Sequence, residues 1–383
     1  MVTQWLAKSL LTPQIKDHRK LPKARESLFD IVLTYTPYSE QIDAAVAAIC
    51  RGRGIIVAPT GVGKSAIATM IVHLLQVPTL IVVPSLELKR QLTAGMREAF
   101  GKERVGGLGK ALAIENVDAL DPDKPLKGYD AVIIDEFHHS AAKTYQNLNK
   151  RAWKDVYHRF GLTATPFRTN SEEKILLASI LSDVIYKIDH ATAVKNKYIV
   201  PIEAYYVDLA KQEVQGNEMS WPAVYSELVV NNEQRNLTIA ALLNSLKLGS
   251  ASTLCLVKEI KHGMILSELT GIPFASGLHE DTGEKIKRFN AGEIPVLIGT
   301  TGVLGEGVDT KPCEYVIIAG LGKSRSAFMQ QCGRAFRVYP GKQSCKVILF
   351  RDSSHKWPLT HFKAQCKVLR EEYGIVPVKL EST

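Results

Sequence analysis

The chain has 383 residues, 45% of them hydrophobic and 23% charged, and 48 lysines and arginines against 39 acidic residues give a formal net charge of +9. That length exceeds one core and suits two domains of an ordinary globular protein, while the longest apolar runs, such as TLIVV at 79–83, fall far short of the roughly 18 residues that suggest a membrane span. Six scattered cysteines without a CxxC pair argue against a zinc ribbon or a disulfide framework and for a reducing compartment.

The first segment, MVTQWLAKSLLTPQIKDHRK, has no apolar core followed by a small-residue cleavage site. It reads as a surface helix, with a transit peptide as the alternative because no acid precedes Asp17. KDHRKLPKAR at 16–25 is a basic cluster, and Lys342, Lys346, Arg351, Lys356, Lys363, Lys367 and Arg370 form another near the C-terminus. Such clusters are plain solvated faces as often as they are contacts to a polyanion.

From about residue 54, short apolar runs alternate with helical patterns, which is the mark of βαβ units and a parallel sheet. GIIVA (54–58), TLIVV (79–83) and AVIID (131–135) read as buried strands, with KSAIATMIVHLLQ and LELKRQLTAGMREAF as the helices between them. APTGVGKS at 58–65 follows the first strand and opens the first helix, the context that makes a phosphate-binding loop credible. Gly61 and Gly63 let backbone N–H groups converge on a phosphate. Thr60 lies in the same loop, Lys64 reaches the β- and γ-phosphates of ATP, and Ser65 offers a hydroxyl to Mg2+. The strict pattern wants glycine where this chain has Ala58.

AVIIDEFHHSAAKT at 131–144 could be a metal cluster or the acidic end of a buried strand. Zinc needs HExxH or HxxEH on a helix, and DEFHH gives neither spacing. Asp135 therefore reads as the carboxylate that holds magnesium, largely through water, and Glu136 as the general base for the attacking water. His138 reads as a reporter of nucleotide state, and His139 as a packed or surface histidine.

The second half repeats the scheme. TLCLV (253–257), VLIGT (296–300), EYVIIAG (314–320) and CKVILF (345–350) read as strands, with EIKHGMILSELT and GEKIKRFNAG as helices. The least regular region, about 187–236, includes KQEVQGNEMS and reads as the junction. Two tandem α/β sheets of similar design imply a cleft, where such proteins place ligands.

APTGVGKS, IIDEFHH, GLTATPFR at 161–168 and QQCGRAFR at 330–337, in that order, resemble helicase superfamily two, the DExH motors built from two RecA-like domains. RadD-like bacterial and phage helicases are similar in outline. In that family alanine at the position of Ala58 is normal. The resemblance implies that Tyr38 and Gln41 contact adenine, and that VVPSLELKRQ (82–91), with Pro84, Ser85 and Arg90, touches the nucleic-acid backbone. It implies that Thr163, Ala164 and Thr165 link hydrolysis to strand movement. GTTGVLGEGVD (299–309) resembles the segment that contacts both nucleotide and backbone, with Thr300 and Thr301 toward the strand and Gly307 and Asp309 toward the nucleotide. In QxxGRxxR, Gln330 would lie near the attacking water, and Arg334 and Arg337 would be arginine fingers.

The expected architecture is an N-terminal basic extension (1–35), a first RecA-like domain (36–190), an inter-domain linker (191–236), a second RecA-like domain (237–350) and a basic C-terminal appendage (351–383), with a closing helix on the second domain as the equal alternative for Lys342 to Arg370. The expected function is an ATP- and Mg2+-dependent helicase or translocase. DNA is favoured over RNA, and contacts would fall mostly on phosphates. The compact length suggests a minimal motor with few accessory domains, virus-encoded or working with a targeting protein partner; a monomer is favoured, in bacterial cytoplasm or that of a phage host, with no membrane involved. The alternatives are an RNA helicase and a nucleic-acid-binding regulator whose ATPase is silent.

Overall fold

The computed structural model describes residues 21–164, 180–212, 220–304, 313–320, 322–333 and 335–380. The surface helix expected over 1–20, Thr165, most of KQEVQGNEMS, Gly307, Asp309 and Arg334 lie outside the described residues. The chain divides into two compact units, one running to Pro59 and over Gly63–Asp189, the other comprising Thr60–Val62 and the chain from His190 onward.

The first unit is a seven-stranded sheet built from β1 (Arg53–Val57), β2 (Thr79–Val83), β3 (Val105–Gly106), β4 (Leu112–Asn116), β5 (Ala131–Ile134), β6 (His158–Thr163) and β7 (Val184–Lys187). Their order is β3-β4-β2-β5-β6-β1-β7, and every ladder is parallel. Helices cover both faces of such a sheet, so its strands are continuous apolar runs; Ile55, Leu80, Val82, Val132 and Ile134 belong to one buried cluster. The helices are α1 (Ser39–Arg51), α2 (Lys64–Leu75), α3 (Leu86–Phe100) and α4 (Lys143–Lys150). α1 buries Gln41, Ala44, Ala45 and Ala48, one face at helical spacing. The described part of the expected N-terminal extension is tied to this unit. Phe29 is fully buried with its ring 5.4 Å from that of Phe100, and Val32 N–H donates to the Ala99 carbonyl at 3.0 Å.

The second unit repeats the plan with β8 (Ile202–Asp208), β9 (Thr253–Val257), β10 (Phe274–Ala275), β11 (Val296–Thr300), β12 (Tyr315–Ile318), β13 (Cys345–Arg351) and β14 (Val378–Lys379). The order is β10-β11-β9-β12-β13-β8-β14, again all parallel. Its helices are α5 (His190–Lys195), α6 (Trp221–Tyr225), α7 (Glu233–Leu248), α8 (Ile260–Thr270), α9 (Thr282–Asn290), α10 (Thr301–Leu304), α11 (Arg325–Gly333) and α12 (Lys356–Tyr373).

Two expectations change. The stretch 191–236, expected as a linker, carries α5, β8 and α6, and β8 pairs along its whole length with β13. It sits one strand from the sheet edge, where Glu203, Tyr205 and Tyr206 are half-buried, so its sequence lacks the apolar continuity of a central strand. The stretch 351–383, expected as an appendage with a closing helix on the second domain weighed equally, takes the second form: it supplies α12 and β14, which closes the sheet by pairing with β8. α12 buries Pro358, His361, Phe362, Gln365, Val368 and Leu369 while Lys356, Lys363, Lys367 and Arg370 face solvent. Its charges are the outer side of a core helix.

Candidate active site

The loop after β1 is held at its start by Ala58, fully buried, whose N–H donates to the Thr163 carbonyl at 2.9 Å. Gly61 and Gly63 have φ of +94° and +87°, the left-handed region that residues with a Cβ rarely enter. A Cβ on Gly63 would also lie 2.7 Å from Gln41 Nε2. Gln41 is therefore a wall of the loop. It is buried, and its Oε1 accepts from the Tyr38 N–H at 2.9 Å, whereas Tyr38 itself is exposed. Gly63 caps α2, so the first-turn amides of Lys64 and Ser65 stand where a helix N-terminus attracts anions.

β5 delivers the acidic pair to the same place. Asp135 Oδ1 accepts from the Glu136 N–H at 2.9 Å, and Glu136 holds a φ of +47°, an unusual conformation for a non-glycine residue. Lys64 Nζ lies 3.5 Å from Glu136 Oε1, and His138 Nδ1 lies 3.4 Å from Glu136 Oε2. His138 is buried, its Nδ1 is 3.2 Å from Thr163 Oγ1 at the end of β6, and its ring stands 4.2 Å from that of His139. Ser65 and Asp135 line one cavity of about 320 Å3 with Tyr35 and Thr69.

These residues fit Mg–ATP. The left-handed glycines leave room for phosphates, Lys64 supplies a cation, and the Ser65 hydroxyl and Asp135 carboxylate are the oxygen donors a hard metal takes. Glu136 Oε2 is buried beside His138 Nδ1 at 3.4 Å and makes no hydrogen bond. Lys64, Ser65, Asp135, Glu136, His138, Thr163 and Gln41, separate in sequence, are brought together. DEFHH is thus the end of a buried strand followed by a tight turn, with both histidine rings packed beside it.

The expected strand contacts have local jobs. Ser85 Oγ caps α3 by accepting from the Leu88 N–H at 3.3 Å, Pro84 precedes it half-buried, and exposed Arg90 pairs with Glu87 at 3.1 Å. In the second unit Thr300 ends β11 and Thr301 opens α10. Gln330 lies on α11, half-buried. Arg337 forms an isolated bridge with Ile199, beside a bond from the Val200 N–H to the Phe336 carbonyl at 2.8 Å. Arg325 fixes α11 to α12 by donating to Glu371 at 2.6 Å and to Glu372. The sequence did not single out Arg325, or the aromatic cluster of Trp221, Trp357 and His361. Their partners are 46 to 140 residues away along the chain, and the signal available was a pair of tryptophans in otherwise basic or polar stretches.

Residues 34–168 match the family described as the type III restriction enzyme res subunit, and residues 246–339 match the helicase conserved C-terminal domain. The chain belongs to helicase superfamily two. This superfamily-two chain is 28% identical over 339 residues to a protein of Sulfolobus islandicus filamentous virus, a match covering 78% of this chain and 60% of that one. It thus spans less than two thirds of that viral relative. It is also 24% identical over 348 residues to the DNA 3'-5' translocase XPB2 of Sulfurisphaera tokodaii, covering 78% and 77% of the two chains. Its fold is that of S. cerevisiae Dbp5 bound to RNA and ADP BeF3, with a TM-score of 0.64, 16% identity and coverage of 91% and 90%. No helix among the described residues is long and apolar enough to cross a membrane.

Proposed function

We propose that this chain is an ATP-hydrolysing helicase or translocase that moves on DNA. The observation that carries the reading is the gathering of Lys64, Ser65, Asp135 and Glu136 around the left-handed loop. Lys64 binds the β- and γ-phosphates. Ser65 and Asp135 hold Mg2+, largely through water, and when bound the ion supplies charge neutralisation on the phosphates. Glu136 accepts the proton of the attacking water, which Gln330 orients, and the γ-phosphoryl group passes to that water with ADP leaving. Arg334 and Arg337 offset the charge that develops on the transferring group. Tyr38 and Gln41 take the adenine, and Gly307 and Asp309 the rest of the nucleotide.

His138 and Thr163, already in contact at the end of β6, relay the state of Glu136 toward Thr165. Pro84, Ser85, Arg90, Thr300 and Thr301 meet the strand backbone. XPB2 is named for DNA, which favours DNA as the track. The Dbp5 structure holds RNA, which makes RNA the second reading. A regulator with a silent ATPase fits poorly with an intact acidic pair beside Lys64. We place it in a reducing cytoplasm, in keeping with six cysteines that are all free thiols, as a monomer targeted by a protein partner.

The test is the steady-state ATPase rate with single-stranded, duplex and forked DNA and with RNA, beside Lys64→Ala. Stimulation by a DNA form, abolished by Lys64→Ala, is the expected result. Stimulation by RNA alone transfers the track to RNA. Unchanged turnover in Lys64→Ala overturns the nucleotide site.

A further inference from the structure

The second unit holds a cavity of about 490 Å3 at the C-terminal ends of β9 and β12 that the motifs do not account for. Trp221 of α6 and Trp357 and His361 of α12 form an aromatic wall, with Trp221 centred 4.2 Å from His361 and 6.3 Å from Trp357. Lys258, directly after β9, and Lys323 are exposed residues lining the same cavity, and Thr301 reaches it from the end of β11. Lys258 Nζ stands 5.2 Å from the centre of the Tyr225 ring.

A second observation points to a ligand. Trp357 Nε1 and His361 Nδ1 are buried without a hydrogen-bond partner among the described residues, and His361 is 5% exposed. Both atoms belong to residues that line the cavity, where an occupant that carries hydrogen-bonding atoms would relieve them. Burial, with Lys323 and Lys258 nearby, holds the His361 imidazole below its ordinary pKa. It is therefore neutral near pH 7 and able to donate or accept.

We propose that this cavity captures one unstacked nucleotide of a single strand, its base against Trp221 and Trp357 and its neighbouring phosphates on Lys258 and Lys323. An aliphatic or aromatic peptide side chain would leave both ammonium groups and both ring nitrogens unanswered. A nucleotide suits the lining: its base has a π-face for the indoles and polar edges for the His361 ring, and its phosphates match the lysines. Every base has such a face, so the site is tolerant of sequence. The C-terminal edge of a parallel sheet is also where α/β folds place ligands. The inference rests on the reading of the chain as a nucleic-acid motor and adds to it the place where the strand is gripped by a base.

The experiment uses the full chain at one salt concentration. Its probes are a short oligothymidylate, an abasic strand of equal length and thymidine monophosphate. Wild type should bind the thymidylate strand more tightly than the abasic one. Trp221→Ala should weaken the thymidylate strand about ten-fold, the equivalent of about 1.4 kcal/mol, as the loss of one base stack does. It should leave the abasic affinity unchanged, and Trp221→Phe should keep most of the wild-type value. Equal losses on both strands, or no loss on either, overturn the proposal. Saturation by the mononucleotide that depends on Trp221, with strand binding untouched, assigns the cavity to a free nucleotide and overturns it as well. Photocross-linking of wild type to a strand carrying 5-iodouracil gives a reading independent of any substitution. Adducts on Trp221, Trp357 or His361 support the site, and adducts only elsewhere sink it. Polymer stimulation of the wild-type ATPase separates the two levels: with stimulation present and no base effect, the cavity assignment fails while the motor reading stands.

Discussion

Glu136 answers two demands with one carboxylate, and its surroundings say how to separate them. One oxygen faces Lys64 at 3.5 Å and the other faces His138 at 3.4 Å, on a backbone twisted to a φ of +47°. Such a conformation costs on the order of 1–3 kcal/mol and persists only where the surrounding structure enforces it. Glu136→Gln keeps volume and backbone while removing the proton acceptor. Nucleotide affinity should stay near wild type in an equilibrium titration, and turnover should fall by about 10²–10⁴-fold, the usual worth of a general base. Loss of nucleotide binding instead would make the residue a structural partner of Lys64. Arg337 allows a cleaner experiment still, because its bridge to Ile199 is made by backbone and survives truncation of the side chain. Arg337→Ala should bind nucleotide normally and hydrolyse about 10³-fold more slowly. A normal rate would move the charge-neutralising role to Arg334.

Elements were legible where one physical signal dominated. β2, β9 and β11 run over the same residues as their apolar stretches, because strands buried on both faces have no polar alternation to confuse the period. The phosphate loop and the acidic pair were legible because each is contiguous and follows such a strand. β4 was missed because Glu115 and Asn116 close it, yet Glu115 is buried and accepts from Lys89 at 2.6 Å. β8 was misassigned because it is a half-buried strand near an edge, and α12 stayed open between appendage and closing helix because its lysines face outward. The wall that Gln41 forms against Gly63, and the cavity shared by Trp221 and His361, are tertiary facts with no local period.

Packing between elements can also override propensity, and Gly263 in α8 sets the two against each other. Alanine there should gain about 1 kcal/mol of helix propensity. Its Cβ, however, would stand 2.2 Å from Phe274 Cε2, on a ring that is buried in β10 and set edge-on to His279. Overpacking typically costs about 1–3 kcal/mol, and a ring confined on this side has little room to yield. Gly263→Ala should therefore lower the unfolding midpoint in urea. A higher midpoint would show that Phe274 can swing aside.

At the scale of the whole molecule, acid should destabilise the fold through histidines as well as carboxylates. His262 is fully buried on α8, with Nε2 3.0 Å from Asn236 Oδ1, and burial followed by the nearby Arg235 charge pushes its pKa down to about 3. His158, also buried, is shifted down for the same leading reason. An unfolded histidine takes up its proton near pH 6.5, so between that pH and about 3 the unfolded chain binds protons that folded His262 refuses. Unfolding then gains from every proton supplied, and stability falls as pH falls through that window. Above pH 6.5 neither state is protonated and the full contribution is present. Between pH 7 and 5 the loss from His262 alone is on the order of 2 kcal/mol, taking about 1.4 kcal/mol per pH unit below 6.5. His262→Gln retains a hydrogen-bonding group toward Asn236 and carries no titrating proton. Whatever its stability at pH 7, its melting temperature should drop less than that of wild type on going to pH 5. Parallel drops in the two proteins would remove His262 from the account of acid sensitivity and leave it to the carboxylates and to His158.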